Sequence, residues 1–257
     1  YGYGKGILGP EIAREMGALS AKAGFRGGHG ILDGKEGFWI MAGSDQCDFK
    51  KMTQGLGREW LILGTDFKLH PSIAWSHPPF VALQKLIEQH AIKASDVAKV
   101  RVWNVGVTRI ADYDPRGAVD AQFSLPYAVA TTLLREPLTP ALYAERKIKS
   151  APVRAMMKRI ECIEDPQMDF DWFKRNIMRT RVEITLTNGK RVEQAATFPD
   201  DKPKYGYQQV VAKLEAMSDG LLPVSRVGQI ADTVERLDKL ADVTVLARLL
   251  VPARRSR

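Results

Sequence analysis

Cysteine is nearly absent from the 257-residue chain: Cys47 and Cys162 stand far apart and share no CxxC spacing. Two such thiols exclude a self-contained four-cysteine zinc or iron–sulfur site, and their scarcity fits a reducing compartment. Histidine is scarce too, with four, and neither HExxH nor a clustered His/Asp set occurs, so a metal or other cofactor is not expected. No run of about 18 apolar residues is present, which predicts the absence of a membrane-spanning helix. No basic-then-apolar leader opens the sequence, and a cytoplasmic location is expected. Gly27-Gly28-His29-Gly30 lacks the spacing of a phosphate-binding P-loop and no strand leads into it, so it reads as a turn.

The formal net charge is +8, with basic residues spread along the chain and clustered only at Arg254, Arg255 and Arg257. Neither zinc-finger spacing nor an RNA-recognition signature accompanies them, so nucleic acid is not the expected partner. A positive field of this size also draws in small anions. The 45% hydrophobic and 26% charged content is ordinary for a globular protein, and the length suffices for one large core or two smaller ones.

Along the chain, helical spacing is expected over residues 10–24, weakly over 45–54, and from His77 to Ala91 through Phe80, Leu83, Leu86 and Ile87. Val100, Val102 and Val105 alternate in a strand over 99–107. A hairpin is expected over 181–197, turned by the two residues Asn188-Gly189. Further helices are expected over 205–217 and through Val227, Ile230, Val234 and Leu237, with Glu235 and Lys239 as an exposed i,i+4 pair. The order predicts an α+β fold: helical segments 1–57 and 204–257 from the two ends, with an α+β unit over 58–203 inserted between them.

The stretch Asp120 to Ala130 reads as the first half of a helix, since Phe123, Tyr127, Ala130 and Leu134 share one apolar stripe. Tyr127 is the polar member of that stripe. Its phenol either reaches a polar pocket or bonds a backbone carbonyl inside the core.

This stretch resembles the FSLPY-type signature of the MmgE/PrpD family, which includes 2-methylcitrate dehydratases, cis-aconitate decarboxylases and iminodisuccinate epimerases. Upstream, Phe67-Lys68-Leu69-His70-Pro71-Ser72 followed by Ser76-His77-Pro78 resembles the family's FKPYPSCR…THP segment. A third, weaker likeness runs from Gly4-Lys5-Gly6 through Gly24-Phe25-Arg26-Gly27 to Leu32-Asp33-Gly34 and Gly37-Phe38. The resemblance covers most of the chain but only the C-terminal half of a family member. It implies a helical domain with a smaller lid domain, and cofactor-free removal of a proton next to a carboxylate of a small di- or tricarboxylate. Dehydration of a 2-methylcitrate-like substrate, as in propionate catabolism, is the first expectation. Epimerisation of a dicarboxylate and a non-catalytic interaction subunit are the alternatives.

By the same resemblance, Lys68 clamps a carboxylate and Tyr127 donates a hydrogen bond or transfers a proton. Lys5, His77, His70 and Ser124 contact substrate. It also implies a homodimer, or association with a chain supplying the N-terminal helical half. Two departures are visible. Leu8, followed by Gly9-Pro10, stands where the family has a histidine, and Ile73 stands where decarboxylating relatives carry one, which argues against cis-aconitate decarboxylation. The acid/base histidines and aspartate of relatives belong to the half without a counterpart here, so turnover by this chain alone is not expected.

Overall fold

The computed structural model describes residues 16–25, 48, 50–51, 54–65, 67–68 and 70–251. The chain divides into two compact units, residues 1–65 and 66–257. In the first, residues 16–22 are helical within the segment expected to be so, and the chain turns at Gly24 in the left-handed region, φ +82°. Residues 10–15 of that segment, most of the 45–54 helix, Lys5 and Cys47 lie outside the described residues.

The second unit is α+β. Helix α1 (His77–His90) starts with prolines in its first turn, where their missing N–H groups cost nothing, and stops at Ala91 in the left-handed conformation. Strand β1 (Val97–Asn104) follows. Helix α2 (Leu125–Leu133) and helix α3 (Ala151–Met157) then cross over to β2 (Ile160–Glu164), which pairs with β1 in parallel. Helix α4 (Pro166–Arg175) leads to the antiparallel strands β3 (Met178–Leu186) and β4 (Arg191–Phe198), giving the sheet order β2-β1-β3-β4. Helices α5 (Tyr207–Met217), α6 (Val224–Glu235) and α7 (Thr244–Leu249) close the unit.

One sheet face carries the core. Val97, Val100, Val102, Val182, Ile184 and Ala196 are buried beneath α1 and α2, together with Leu83, Leu86, Leu125 and Tyr127. The opposite face is a charged ladder. Lys99 and Arg101 meet Glu161 at 2.7 and 3.4 Å, and the Arg181 guanidinium lies 3.7 Å above the Trp103 ring.

The local differences from the sequence expectations have physical causes. β1 begins at Val97 and ends at Asn104, short of the 99–107 alternation's end because the chain turns at Gly106, φ +65°. A Cβ built there would lie 2.5 Å from the Trp75 ring, so only glycine fits. Gly106→Ala is therefore expected to cost about 2 kcal/mol, combining left-handed strain with overpacking. A urea midpoint unchanged from the native chain would refute that. The hairpin loop has three residues: Leu186 N–H donates to Lys190 O at 2.8 Å, and Gly189, at φ +83°, takes the left-handed position. Helix α6 stops at Glu235, so Glu235 and Lys239 do not share one helix and the expected pair does not form there. Val227 and Ile230 of its stripe are buried, while Val234 and Leu237 are exposed. No helix among the described residues is long and apolar enough to cross a membrane.

Candidate active site

The segment leading into α1 is held from three sides. Asn104, at the end of β1, donates to Trp75 O at 2.9 Å; Ile73 N–H donates to Gln122 O at 2.9 Å; the Tyr143 hydroxyl donates to Pro71 O at 2.6 Å. The strand end, the signature stretch and a neighbouring turn thus converge on residues 70–77.

Within that segment the hydrogen bonds have a fixed direction. A carbonyl can only accept, so the Ser76 hydroxyl donates to Ile73 O at 2.8 Å. Ser72 must then donate to Ser76 Oγ at 2.5 Å, and His70 Nδ1–H to Ser72 Oγ at 2.7 Å. His77 Nδ1–H likewise donates to Ile73 O at 3.2 Å. The order assigns both neutral imidazoles the same tautomer, with the lone pair on Nε2. Both Nε2 atoms are buried and have no hydrogen-bond partner. A bare, desolvated acceptor costs about 1–3 kcal/mol, which makes such atoms markers of function or strain.

Burial, and secondarily His77, pushes the His70 pKa down to about 4. Burial also lowers that of His77, against the opposing pull of carbonyl hydrogen bonds, with Lys68 adding to the lowering. His70 packs edge-on against Phe80 with centroids 4.8 Å apart, and lies 6.2 Å from the His77 ring.

His77 opens onto a largely apolar pocket walled by Phe67, Phe80, Phe198 and Tyr205, with Lys68 and Lys202 also lining it. Lys68 is exposed, and its ammonium donates to Ser72 O at 3.1 Å. The pocket therefore joins a cation, a neutral imidazole ring and low-dielectric walls. That combination holds a carboxylate and accepts a proton from a neighbouring atom. Among the described residues no cluster of three or more His, Cys, Asp or Glu is placed to hold a metal.

The structure brings Lys68, His77 and, behind them, His70 together. It places Tyr127 and Ser124 elsewhere. The Tyr127 ring is buried in the core, its hydroxyl donates to Leu142 O, and it does not line this pocket. Burial raises the Tyr127 pKa to about 12. Ser124 caps α2: its Oγ accepts from Tyr127 N–H at 3.1 Å and donates to Asp112 O at 2.5 Å. The signature stretch is accordingly two helices, Ala118–Gln122 and α2, broken at Phe123-Ser124, rather than one.

The apolar walls Phe198 and Tyr205, and the directional role of Ser72 and Ser76, were not foreseen. The serines' i,i+4 spacing was readable, but their polarity depends on the Ile73 carbonyl.

A family model, the MmgE/PrpD C-terminal domain, matches residues 70–239, two thirds of the chain. The chain belongs to the MmgE/PrpD family. Its similarity to curated family members is low but extended. It is 22% identical over 254 residues to a cis-aconitate decarboxylase of Aspergillus terreus, covering 91% of this chain and 51% of that protein. It is 20% identical over 252 residues to a cis-aconitate decarboxylase-like protein, oryM, of Aspergillus oryzae, covering 91% and 52%. This MmgE/PrpD chain thus spans about half the length of the curated relatives it matches. The matched region contains the whole sheet, α1 to α6, and the 70–77 segment.

Proposed function

We propose that this chain forms the carboxylate-binding part of an MmgE/PrpD lyase site, acting without a cofactor on a small di- or tricarboxylate of the 2-methylcitrate type. The observation that carries the reading is Lys68 and the unpartnered imidazole of His77 on one apolar pocket. Lys68 pairs with a substrate carboxylate, and the apolar walls strengthen that pair by keeping water away. His77 Nε2, neutral at pH 7, takes the proton from the carbon next to a carboxylate. The C–H electron pair then forms the new double bond as the neighbouring hydroxyl leaves, protonated by an acid, as water. Turnover is assigned to an assembly that includes the N-terminal helical half, either in a homodimer or from a partner chain. Exposed Val224, Val234, Val243 and Leu250 on and beside α6 and α7 support such an association. A lone monomer at all concentrations in sedimentation would count against it.

The names of the two Aspergillus relatives favour a second reading, decarboxylation of cis-aconitate. It uses the same clamp, with loss of carbon dioxide in place of water, and Ile73 is the residue that weighs against it.

The first test is binding of tricarballylate, an inert tricarboxylate, by calorimetry. Lys68→Ala is expected to weaken it about 10- to 100-fold, the value of one charge-assisted hydrogen bond. Equal binding by the variant, or none by the native chain, would overturn the clamp. Water loss from 2-methylcitrate against carbon dioxide release from cis-aconitate, measured with the helical half present, then separates the two chemistries.

A further inference from the structure

The pocket beside Lys68 is more apolar than a polyacid alone requires, and its walls come from the ends of rigid elements. His77, Phe80 and Val81 lie at i, i+3 and i+4 on one face of α1. Met178 and Phe198 are register partners across the β3–β4 ladder, and both reach the pocket. Tyr205 adds a further wall from the segment before α5. Val81 and Phe198 are buried, so the core fixes their positions. The cavity volume is about 70 Å³, several times the roughly 10–15 Å³ that admits one water-sized group. Among the described lining residues the charged ones are Lys68 and Lys202. A carboxylate set against the aromatic walls would lose its water without gaining a hydrogen bond. A methylene buried there instead gains about three- to fourfold in affinity.

We propose that the pocket seats an alkyl chain longer than a methyl group, carried by an acid whose carboxylate is held at Lys68. Phe80, Val81, Met178, Phe198 and Tyr205 then select the ligand by that chain. This rests on the carboxylate reading of Lys68 given above. It goes beyond a ligand of the 2-methylcitrate type, whose single methyl leaves most of the cavity unfilled and its lining short of contacts. Two separable contributions to affinity follow. Lys68 supplies a charge-dependent one that every acid of a series shares, and the walls supply an apolar one that grows with the chain.

The test compares methylsuccinate with propylsuccinate at matched ionic strength, in calorimetric titrations of the native chain, Tyr205→Ala, Tyr205→Leu and Lys68→Ala. The native chain is expected to bind propylsuccinate about tenfold more tightly, the effect of two added methylenes. Tyr205→Ala removes an apolar wall and is expected to cut that advantage to about threefold or less, with methylsuccinate unchanged. Tyr205→Leu keeps a wall and is expected to retain most of the advantage. Lys68→Ala is expected to weaken both ligands by the same factor. Equal binding of the two acids by the native chain, or an advantage that Tyr205→Ala leaves intact, overturns the alkyl pocket while Lys68 stands as the clamp. Binding of neither acid, or binding that Lys68→Ala does not weaken, overturns the carboxylate reading itself.

Discussion

Acidification from pH 7 to about pH 4 is expected to destabilise this chain by about 3 kcal/mol through His70 alone, with His77 acting in the same direction. The unfolded chain takes up a proton on His70 near pH 6.5, whereas the folded chain, with its pKa pushed down to about 4 by burial, does not. Stability is therefore fully retained above pH 6.5, falls by about 1.4 kcal/mol for each further unit of pH, and stops changing on this account below about 4. That loss is a large share of the roughly 5–15 kcal/mol that separates folded from unfolded domains. The carboxylates held low by their partners, Asp201 by Thr197 N–H and Lys85 and Glu161 by Lys99, lose their contribution only as pH falls below their ordinary range near 4. The histidine window is thus separable from ordinary acid denaturation. Urea midpoints at about pH 7, 5.5 and 4.5 measure it. His70→Asn keeps an N–H for Ser72 Oγ but does not titrate; it should lower the midpoint at pH 7, through lost packing on Phe80, and flatten the slope between pH 6.5 and 4. A slope in the variant as steep as in the native chain would exclude His70 as its source.

The same two histidines show what a sequence discloses and what it withholds. The helix that positions His77 was readable from the spacing of Phe80, Leu83, Leu86 and Ile87, because a buried stripe on one helix is a local pattern; Leu83 and Leu86 are fully buried as that pattern requires. The motif containing Lys68, His70 and His77 was readable for the same reason, being ten residues of continuous chain. The tautomers were not, since they follow from a single carbonyl, Ile73 O, receiving both Ser76 and His77. The walls Phe198 and Tyr205 were out of reach because nothing local distinguishes them from other aromatic residues of the chain; tertiary packing alone brings them to the pocket of Lys68. β2 escaped notice because its five residues find their meaning in a non-local parallel partner, β1. The break before α2 carried a local signal that the apolar period masked: Ser124 followed by Leu125-Pro126 is a cap with proline in the first turn, but Ala121 and Tyr127 on either side of the break are both buried, so the apolar stripe runs on across it.

Tyr127 is where family resemblance and local geometry point in different directions, and a pair of substitutions decides between them. Tyr127→Ala removes one of the largest fully buried side chains in the molecule, and a loss of about 3–5 kcal/mol is expected from the cavity it leaves. Tyr127→Phe keeps the ring and removes only the hydroxyl that donates to Leu142 O. The carbonyl then loses its partner in a dry environment, which costs about 1–2 kcal/mol, while the pocket bearing Lys68 and His77 is untouched. The expected result is therefore a lowered urea midpoint with unchanged binding of tricarballylate. A group acting as acid or base in the reaction would give the reverse: little change in midpoint, and a loss of turnover in the complete assembly of 10² or more. The raised pKa favours the first outcome, because a phenol held near 12 by burial and already committed to a backbone carbonyl is a poor proton donor to anything else at neutral pH. On that geometry the signature tyrosine acts through the fold. It ties α2 to the turn at Leu142, whose neighbour Tyr143 donates in turn to Pro71 at the start of the His70–His77 segment, so the effect on the site is one of position.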